Sequence, residues 1–312
     1  MNSSAIVLEE PRKLALRDLT LNEPTAADVV VDIEWSGIST GTEKLLWSGR
    51  MPPFPGMGYP LVPGYESIGS VVDAGPESGR RVGQRVFIPG ANCYREARGL
   101  FGGASSRVVV AGRKAMPVAD HLGDRAILLA LAATAHHAVS PDIRKPPELI
   151  VGHGVLGRLI ARMVVANGGQ PTVWETNAAR RAGGEGYAVI DPDDDPRSDY
   201  KHICDVSGDC DILDRLVMRL ARGGEVVLAG FYDRRLSFAF PAAFMREAQI
   251  RIAAEWRPQD LIAVDEMVAA GRLSLDGLIT HTRTPDRFED AYETAFSDPA
   301  CLKMVLDWRH SA

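Results

Sequence analysis

Leu149-Ile150-Val151-Gly152-His153-Gly154-Val155-Leu156-Gly157 is a short apolar run that feeds a Gly-x-Gly-x-x-Gly turn, and an acid, Glu175, stands eighteen residues beyond the last glycine. Each part has a physical job in holding a dinucleotide. Gly152 makes the tight turn, Gly154 lets backbone approach a pyrophosphate, and Gly157 lets helix and strand pack closely. The helix opened by Val155 and Leu156 then presents unpaired N–H groups and the positive end of its dipole to the phosphates, with no need of a basic side chain.

With 30 glycines in 312 residues the pattern alone is weak, so its surroundings decide. Residues 147–151 (PELIV) read as a buried strand, residues 158–165 (RLIARMVV) carry apolar side chains at helical spacing, and Asn167-Gly168-Gly169 is a helix stop. Residues 171–175 (PTVWE) form a second strand ending in the acid. A carboxylate there accepts hydrogen bonds from both ribose hydroxyls and repels a 2′-phosphate, which predicts NAD rather than NADP. Arg180 and Arg181 leave two readings open, a site near an adenosine phosphate or a solvated helix face.

Outward from this turn, strands alternate with helices over residues 126–257, the pattern of a parallel sheet. Residues 187–190, 202–208, 224–230 and 249–253 read as its further strands. Pro192 and Pro196 leave no room for a crossover helix between residues 190 and 202, so the sheet is an abbreviated doubly wound one, and the acidic run 191–196 reads as a surface loop. Ligands bind beyond the carboxyl ends of such strands, which adds Ser207 and Gly230 to the cofactor-binding candidates. Residues 1–125 instead show short strands separated by Gly, Pro and Asn turns, an antiparallel barrel-like pattern. From 258 onward, helices at 261–270 and 288–296 accompany strands at 278–281 and 303–306.

The whole-chain numbers set limits. A net charge of -6 and a pI near 5.7 argue against a nucleic-acid partner. No apolar run approaches the roughly 20 residues of a membrane span, and Met1-Asn2-Ser3-Ser4 lacks the charge and cleavage pattern of a secretory signal, so a cytoplasmic protein is expected. Four scattered cysteines make neither a disulfide framework nor a metal motif.

Six short stretches, in this order, carry a family resemblance: residues 36–43 (SGISTGTE), 62–66 (VPGYE) with the Gly69 strand, 83–86 (GQRV), 132–138 (AATAHHA), 223–227 (GGEVV) and 278–281 (LITH). They resemble the medium-chain dehydrogenase/reductase superfamily over essentially the whole chain. The resemblance implies an α/β protein in which a GroES-like antiparallel barrel, residues 1–125 and 258–312, is split around a Rossmann domain, residues 126–257, with the active site in the cleft between and NAD as cofactor. It also implies a homodimer joined through residues 249–253.

The departures from the family are specific. Zinc-dependent members carry a cysteine where this chain has Ser39 or Thr40, a histidine where it has Tyr65, and a further cysteine or acid near Ala130, while their four-cysteine structural lobe is replaced by a segment holding only Cys93. This implies a zinc-free branch with no metal ligands. Within it, the short length, the abbreviated nucleotide domain and residues 133–137 (ATAHH) resemble dehydrogenases that act on tetrapyrrole pigments. The implied reaction oxidises a 1-hydroxyethyl substituent to acetyl.

Without zinc, hydrogen-bond donors and a base must serve the developing alkoxide. The positions around the lost metal supply the candidates. Tyr65 either bonds the carbinol oxygen or is a satisfied core tyrosine. Thr40, Ser39 and Thr42 relay a proton or cap a turn. Glu43 is a general base or the first-turn acid of a short helix, and Glu66 is a supporting residue. His136 and His137 are adjacent and point differently, so His137 is expected to face the cofactor. A flat apolar substrate calls for walls such as Trp47, Met51, Phe54, Met57, Tyr59 and Trp256, with Arg50 or Arg257 for its carboxylate; packing is the alternative for each. Two rival readings remain, an NADPH-dependent quinone or enoyl reductase and a non-catalytic pigment carrier.

Overall fold

β-Branched runs near the start of the chain become β1 (Asn2–Glu10), β2 (Lys13–Thr20) and β3 (Asp28–Ile38) in the structure, a computed structural model that describes residues 1–53, 55–139 and 145–309. They are followed by α1 (Thr42–Ser48), β4 (Ser67–Ala74), β5 (Arg85–Ile88), β6 (Arg107–Ala111) and β7 (Met116–Pro117). The middle of the chain forms α2 (Leu129–Val139), β8 (Leu149–Val151), α3 (Val155–Ala166), β9 (Thr172–Trp174), β10 (Ala188–Ile190) and β11 (Tyr200–Asp205). It continues through α4 (Leu213–Arg219), β12 (Leu220–Leu228), α5 (Phe240–Arg246), β13 (Gln249–Ile252) and α6 (Pro258–Ala269), and the chain ends with β14 (His281–Arg283), α7 (Phe288–Ser297) and β15 (Met304–Asp307).

Two units result, Met1–Leu128 with Asp276–Ala312, and Leu129–Leu275. In the first, the sheet runs β14-β15-β3-β4-β5-β7, with β6 also on β3. Its pairings are antiparallel except for β14 on β15. β3 is its axis, and Val29, Val30 and Val31 are all buried, so both faces of the strand are covered. Each such side chain contributes about 1.5–3 kcal/mol when fully buried. Ala291, Tyr292 and Ala295 of α7 join the same core.

The second unit holds a parallel sheet in the order β10-β9-β8-β11-β12-β13. The order reverses between β8 and β11, and that switch point is where doubly wound folds bind their ligands. Short helical turns at Ala178–Arg180 and Pro192–Asp194 take the place of full crossover helices on either side of β10.

Three expectations need correction. α6 lies in the second unit, not in the returning segment assigned from residue 258, because it packs against α2. The strand expected at 278–281 begins only at His281, where the chain first pairs with Met304; Leu278 is buried before it. The acidic run is not wholly a surface loop. Asp193 and Asp194 are exposed, but Asp195 is buried and accepts hydrogen bonds from Trp174 Nε1 at 2.7 Å, Tyr200 Oη at 2.7 Å and the Arg197 amide at 2.9 Å. One carboxylate thereby ties β9 to β11 where a crossover helix is missing.

Removing it would strand two buried donors. Asp195→Ala is expected to lower the unfolding free energy by about 3 kcal/mol in urea denaturation, against about 0.5 kcal/mol or less for the exposed Asp193→Ala. Equal effects would show that the bonds to Trp174 and Tyr200 hold nothing in place.

Candidate functional site

The turn after β8 has three glycines with three separate reasons. Gly152 sits at φ +106°, which side chains rarely adopt, and a methyl on Gly157 would lie 1.9 Å from the Gly152 carbonyl oxygen. A methyl on Gly154, the residue that opens α3, would meet nothing within 4 Å, so this backbone faces open space. Gly154 has no side-chain cap and the first turn of α3 has no acid, leaving the amides of Val155, Leu156 and Gly157 and the positive helix end for an anion.

Glu175 lies at the end of β9 and is nearly buried. Its Oε2 accepts from the His153 amide at 3.1 Å and its Oε1 from the Asn177 amide at 2.8 Å. On the other side of the switch point, Ser207 is exposed and its amide donates to Asp205 Oδ1 at 3.0 Å, while the Gly230 amide donates to the Asp205 carbonyl at 3.1 Å. Asp205 is fully buried and takes a further bond from Tyr232 Oη at 2.6 Å. Sequence reasoning passed over Asp205 and Tyr232; an acid at a strand end just before Ser-Gly was the available signal. An open glycine cradle, a bare helix end and a fixed carboxylate at the neighbouring strand fit a dinucleotide. Arg181 is half-buried and bonds Asp191 and the carbonyls of Glu175 and Thr176.

In the first unit the end of β3 carries the other candidates. Ser39 Oγ and Tyr65 Oη are 2.8 Å apart, and the Tyr65 ring rests on Phe101 with centroids 5.1 Å apart. Burial and the neighbouring Glu66 push the Tyr65 phenol well above its ordinary range, so it keeps its proton. Thr40 is half-buried beside them. Glu66 is buried against Lys303, a residue the sequence reading missed, whose ammonium bonds Glu66 Oε2. Burial raises the Glu66 pKa and Lys303 pulls it back; Oε1 has no hydrogen-bond partner among the described residues. Gly37 makes room for the pair, as a methyl there would lie 2.5 Å from Glu66 Oε2 and 2.9 Å from Lys303 Cε.

Glu43 is in the first turn of α1, but it is buried rather than a solvated helix-end acid. It accepts from the Ser39 amide at 3.1 Å and Tyr292 Oη at 3.2 Å, and burial pushes it up to about 8. His136 and His137 do not point apart. Both present Nδ1 to Asp260, at 2.8 and 2.9 Å, joining α2 to the start of α6, where Asp260 also accepts the Arg257 amide. Trp47, Met51, Met57 and Tyr59 pack with Leu8, Leu45, Leu46 and Leu61 in a satellite core, which favours the packing alternative for them. Phe54 lies outside the described residues, Trp256 is half-buried, and Arg50 and Arg257 are exposed.

The donor set at the family's zinc positions does not fit zinc. Ser39 and Tyr65 offer hydroxyls already bonded to each other and Ala130 offers none, whereas zinc sites use Cys, His and carboxylate. Among the described residues no group of three His, Cys, Asp or Glu is arranged to hold a metal ion.

Glu43 generates a prediction with a definite sign. Its folded-state pKa of about 8 lies above the unfolded value near 4.5, so the folded state binds the extra proton between them and stability falls as pH rises through that window. The slope is at most about 1.4 kcal/mol per pH unit. Glu43→Gln is expected to be more stable than the parent at pH 8 by a larger margin than at pH 5 in urea titrations; a margin independent of pH would contradict the raised pKa.

Comparison with known proteins agrees with this architecture. Residues 25–120 match the alcohol dehydrogenase GroES-like domain family. The chain is 55% identical to the 2-desacetyl-2-hydroxyethyl bacteriochlorophyllide A dehydrogenase of Cereibacter sphaeroides, over 100% of both chains, and 56% identical to the protein of the same name from Rhodobacter capsulatus, over 99% of both. Among solved structures, a cinnamyl alcohol dehydrogenase from Sorghum bicolor superimposes with a TM-score of 0.86 at 18% identity, over 100% of this chain and 99% of that one, which shows the shared fold. By full-length identity to these two relatives and by its GroES-like and Rossmann units, the chain belongs to the medium-chain dehydrogenase/reductase family, in the bacteriochlorophyllide dehydrogenase branch.

Proposed function

We propose that this protein oxidises the 3-(1-hydroxyethyl) group of a bacteriochlorophyllide to 3-acetyl in bacteriochlorophyll a biosynthesis, in the cytoplasm, with NAD and without zinc. The observation that carries the substrate is the full-length identity to two dehydrogenases named for it. No helix among the described residues is long and apolar enough to cross a membrane. A homodimer through the β13 edge belongs to the same reading, supported by exposed Ile250 and Ile252 on that strand.

Gly152, Gly154, Val155, Leu156 and Gly157 would hold the pyrophosphate of NAD, Glu175 its adenosine ribose, and Ser207 and Gly230 its nicotinamide half. Held there, NAD would supply the hydride acceptor. The proton of the carbinol must leave at the same time, and here the hydroxyls of the first unit act. Tyr65 is too weak an acid to serve as a phenolate base, so it moves a proton in concert, accepting at Oη while donating to Ser39 Oγ. Thr40 and Thr42, half-buried hydroxyls, continue the path to solvent water, which takes up the proton. Glu66 and Glu43 support this segment by accepting the Gly37 amide at a carbonyl and the Ser39 amide at a carboxylate, and Lys303 holds the Glu66 side chain. His137 is spent on Asp260 through Nδ1 and acts, in this reading, through its Nε2 alone.

Hydrogen bonds replace a Lewis acid at the developing alkoxide, which makes chelators irrelevant to the rate. Chelator-treated protein with 3-(1-hydroxyethyl) bacteriochlorophyllide a and NAD is expected to red-shift the long-wavelength pigment band as the acetyl group joins the conjugated ring, with one NADH formed per acetyl. No shift would sink the substrate, loss of activity restored by zinc would sink the metal-free reading, and tenfold better use of NADP(H) would point to the reductase alternative. Tyr65→Phe is expected to lower kcat by about 10²-fold, read from the same band; an unchanged kcat would remove Tyr65 from the relay.

A further inference from the structure

Arg158, the residue after the third fingerprint glycine, is buried at the positive end of α3. Its guanidinium donates Nε to the His153 carbonyl at 3.1 Å, Nη1 to Gly183 at 3.3 Å, and Nη2 to the Arg180 and Ala182 carbonyls at 3.2 and 2.8 Å. Among the described residues no carboxylate is bonded to it. A buried cation satisfied only by carbonyls, at a helix end that is itself positive, is a costly arrangement that an incoming anion relieves. Burial lowers the Arg158 pKa, and Tyr187 and, more weakly, Glu175 pull it back.

His153 completes a clamp. The imidazole is fully buried, with Nδ1 2.6 Å from the Arg180 carbonyl and Nε2 3.0 Å from Tyr187 Oη. Donation from Nδ1 leaves Nε2 to accept from the tyrosine. Gly183, at φ +85°, admits the guanidinium; a methyl there would lie 2.5 Å from Nη1. The loop 180–187 is thus fastened to the phosphate turn by two side chains of the turn and its helix. The Glu175 carboxylate is held by the His153 amide of the turn and by the amide of Asn177, which caps the helical turn Ala178–Arg180 leading into that loop and accepts the Arg180 amide at its carbonyl.

We propose that Arg158 and His153 are positioning residues for nucleotide recognition: by locking the loop 180–187 to the glycine turn they fix Glu175 against the adenosine ribose, and this clamp sets the preference for NAD over NADP. The inference rests on the NAD reading above. Loosening the clamp frees the carboxylate to swing away from a 2′-phosphate, so selectivity falls together with affinity.

The test uses the full chain, with KM and kcat for NAD and NADP in the pigment assay and Kd for NADH by fluorescence. Arg158→Met is expected to raise KM for NAD and Kd for NADH about tenfold, with a smaller change in kcat and a narrower NAD/NADP ratio of kcat/KM. Arg158→Lys fails to restore the ratio, because an ammonium cannot span four carbonyls. Tyr187→Phe, which deletes a single hydroxyl, shifts the ratio in the same direction by about threefold and decides the matter if the arginine variant does not fold. A folded Arg158→Met with unchanged Kd and ratio, or Tyr187→Phe with an unchanged ratio when it alone folds, overturns the clamp. A parent protein that binds neither nucleotide overturns the NAD reading and this inference with it, whereas tight NAD binding with indifferent variants overturns the clamp alone.

Discussion

The close approach of α3 to the turn after β8 is the constraint on which the second unit depends. Gly157 packs so near the Gly152 carbonyl that only a hydrogen can occupy its side-chain position. That contact aims the helix end at the carboxyl edge of a parallel sheet, at the point where strand order reverses. Everything assigned to nucleotide binding follows from it: the bare amides at the start of α3, the carboxylate at the end of β9, and Ser207 beyond β11. The unit has economised on crossover helices around β10, and buried polar groups hold the strands instead. Asp195 does this between β9 and β11, and the Arg158–His153 pair does it between the turn and the loop after β9.

The first unit is organised around a buried charge as well. Lys303, just before β15, reaches Glu66 beneath Gly37, so the segment that carries Tyr65 is tied to the start of β15 by one ion pair, while β3, which leads into Ser39, is joined to β15 by its strand pairing. Such a pair is expensive to break because either partner alone would be an uncompensated buried charge. Where zinc-dependent relatives of the family place metal ligands, this chain places a hydroxyl pair with a phenol that holds its proton. In the proposed reading the part of this pair is donation and concerted transfer, not abstraction by a phenolate.

The glycine turn, its flanking strand and helix, and Glu175 were legible because local geometry makes those residues nearly obligatory. Tyr65 and Ser39 were legible only as departures from a family pattern, and their mutual bond was not. Glu43 read as a first-turn acid because its helix position is local, whereas its burial comes from α7, far along the chain. His136 and His137 were read as diverging because neighbours on a helix usually do; Asp260, supplied by α6, gathers both. The aromatic stretch around Met51 and Tyr59 offered walls for a ligand, yet most of it fills a satellite core.

By itself the sequence determined the periodicities and the punctuation: short strands first, then alternating strand and helix, a glycine turn that a close strand-to-helix connection requires, and a second strand ending in an acid. These are properties of neighbours within a dozen residues, where backbone geometry and hydrophobic spacing are set locally. Tertiary structure alone decided which charges became partners. Lys303 with Glu66, Asp260 with two histidines, Asp195 with Trp174 and Tyr200, and Arg158 with the loop carbonyls all join segments whose meeting is dictated by packing, since burial is what makes an ionisable group seek its partner and burial is not written in any one stretch of chain.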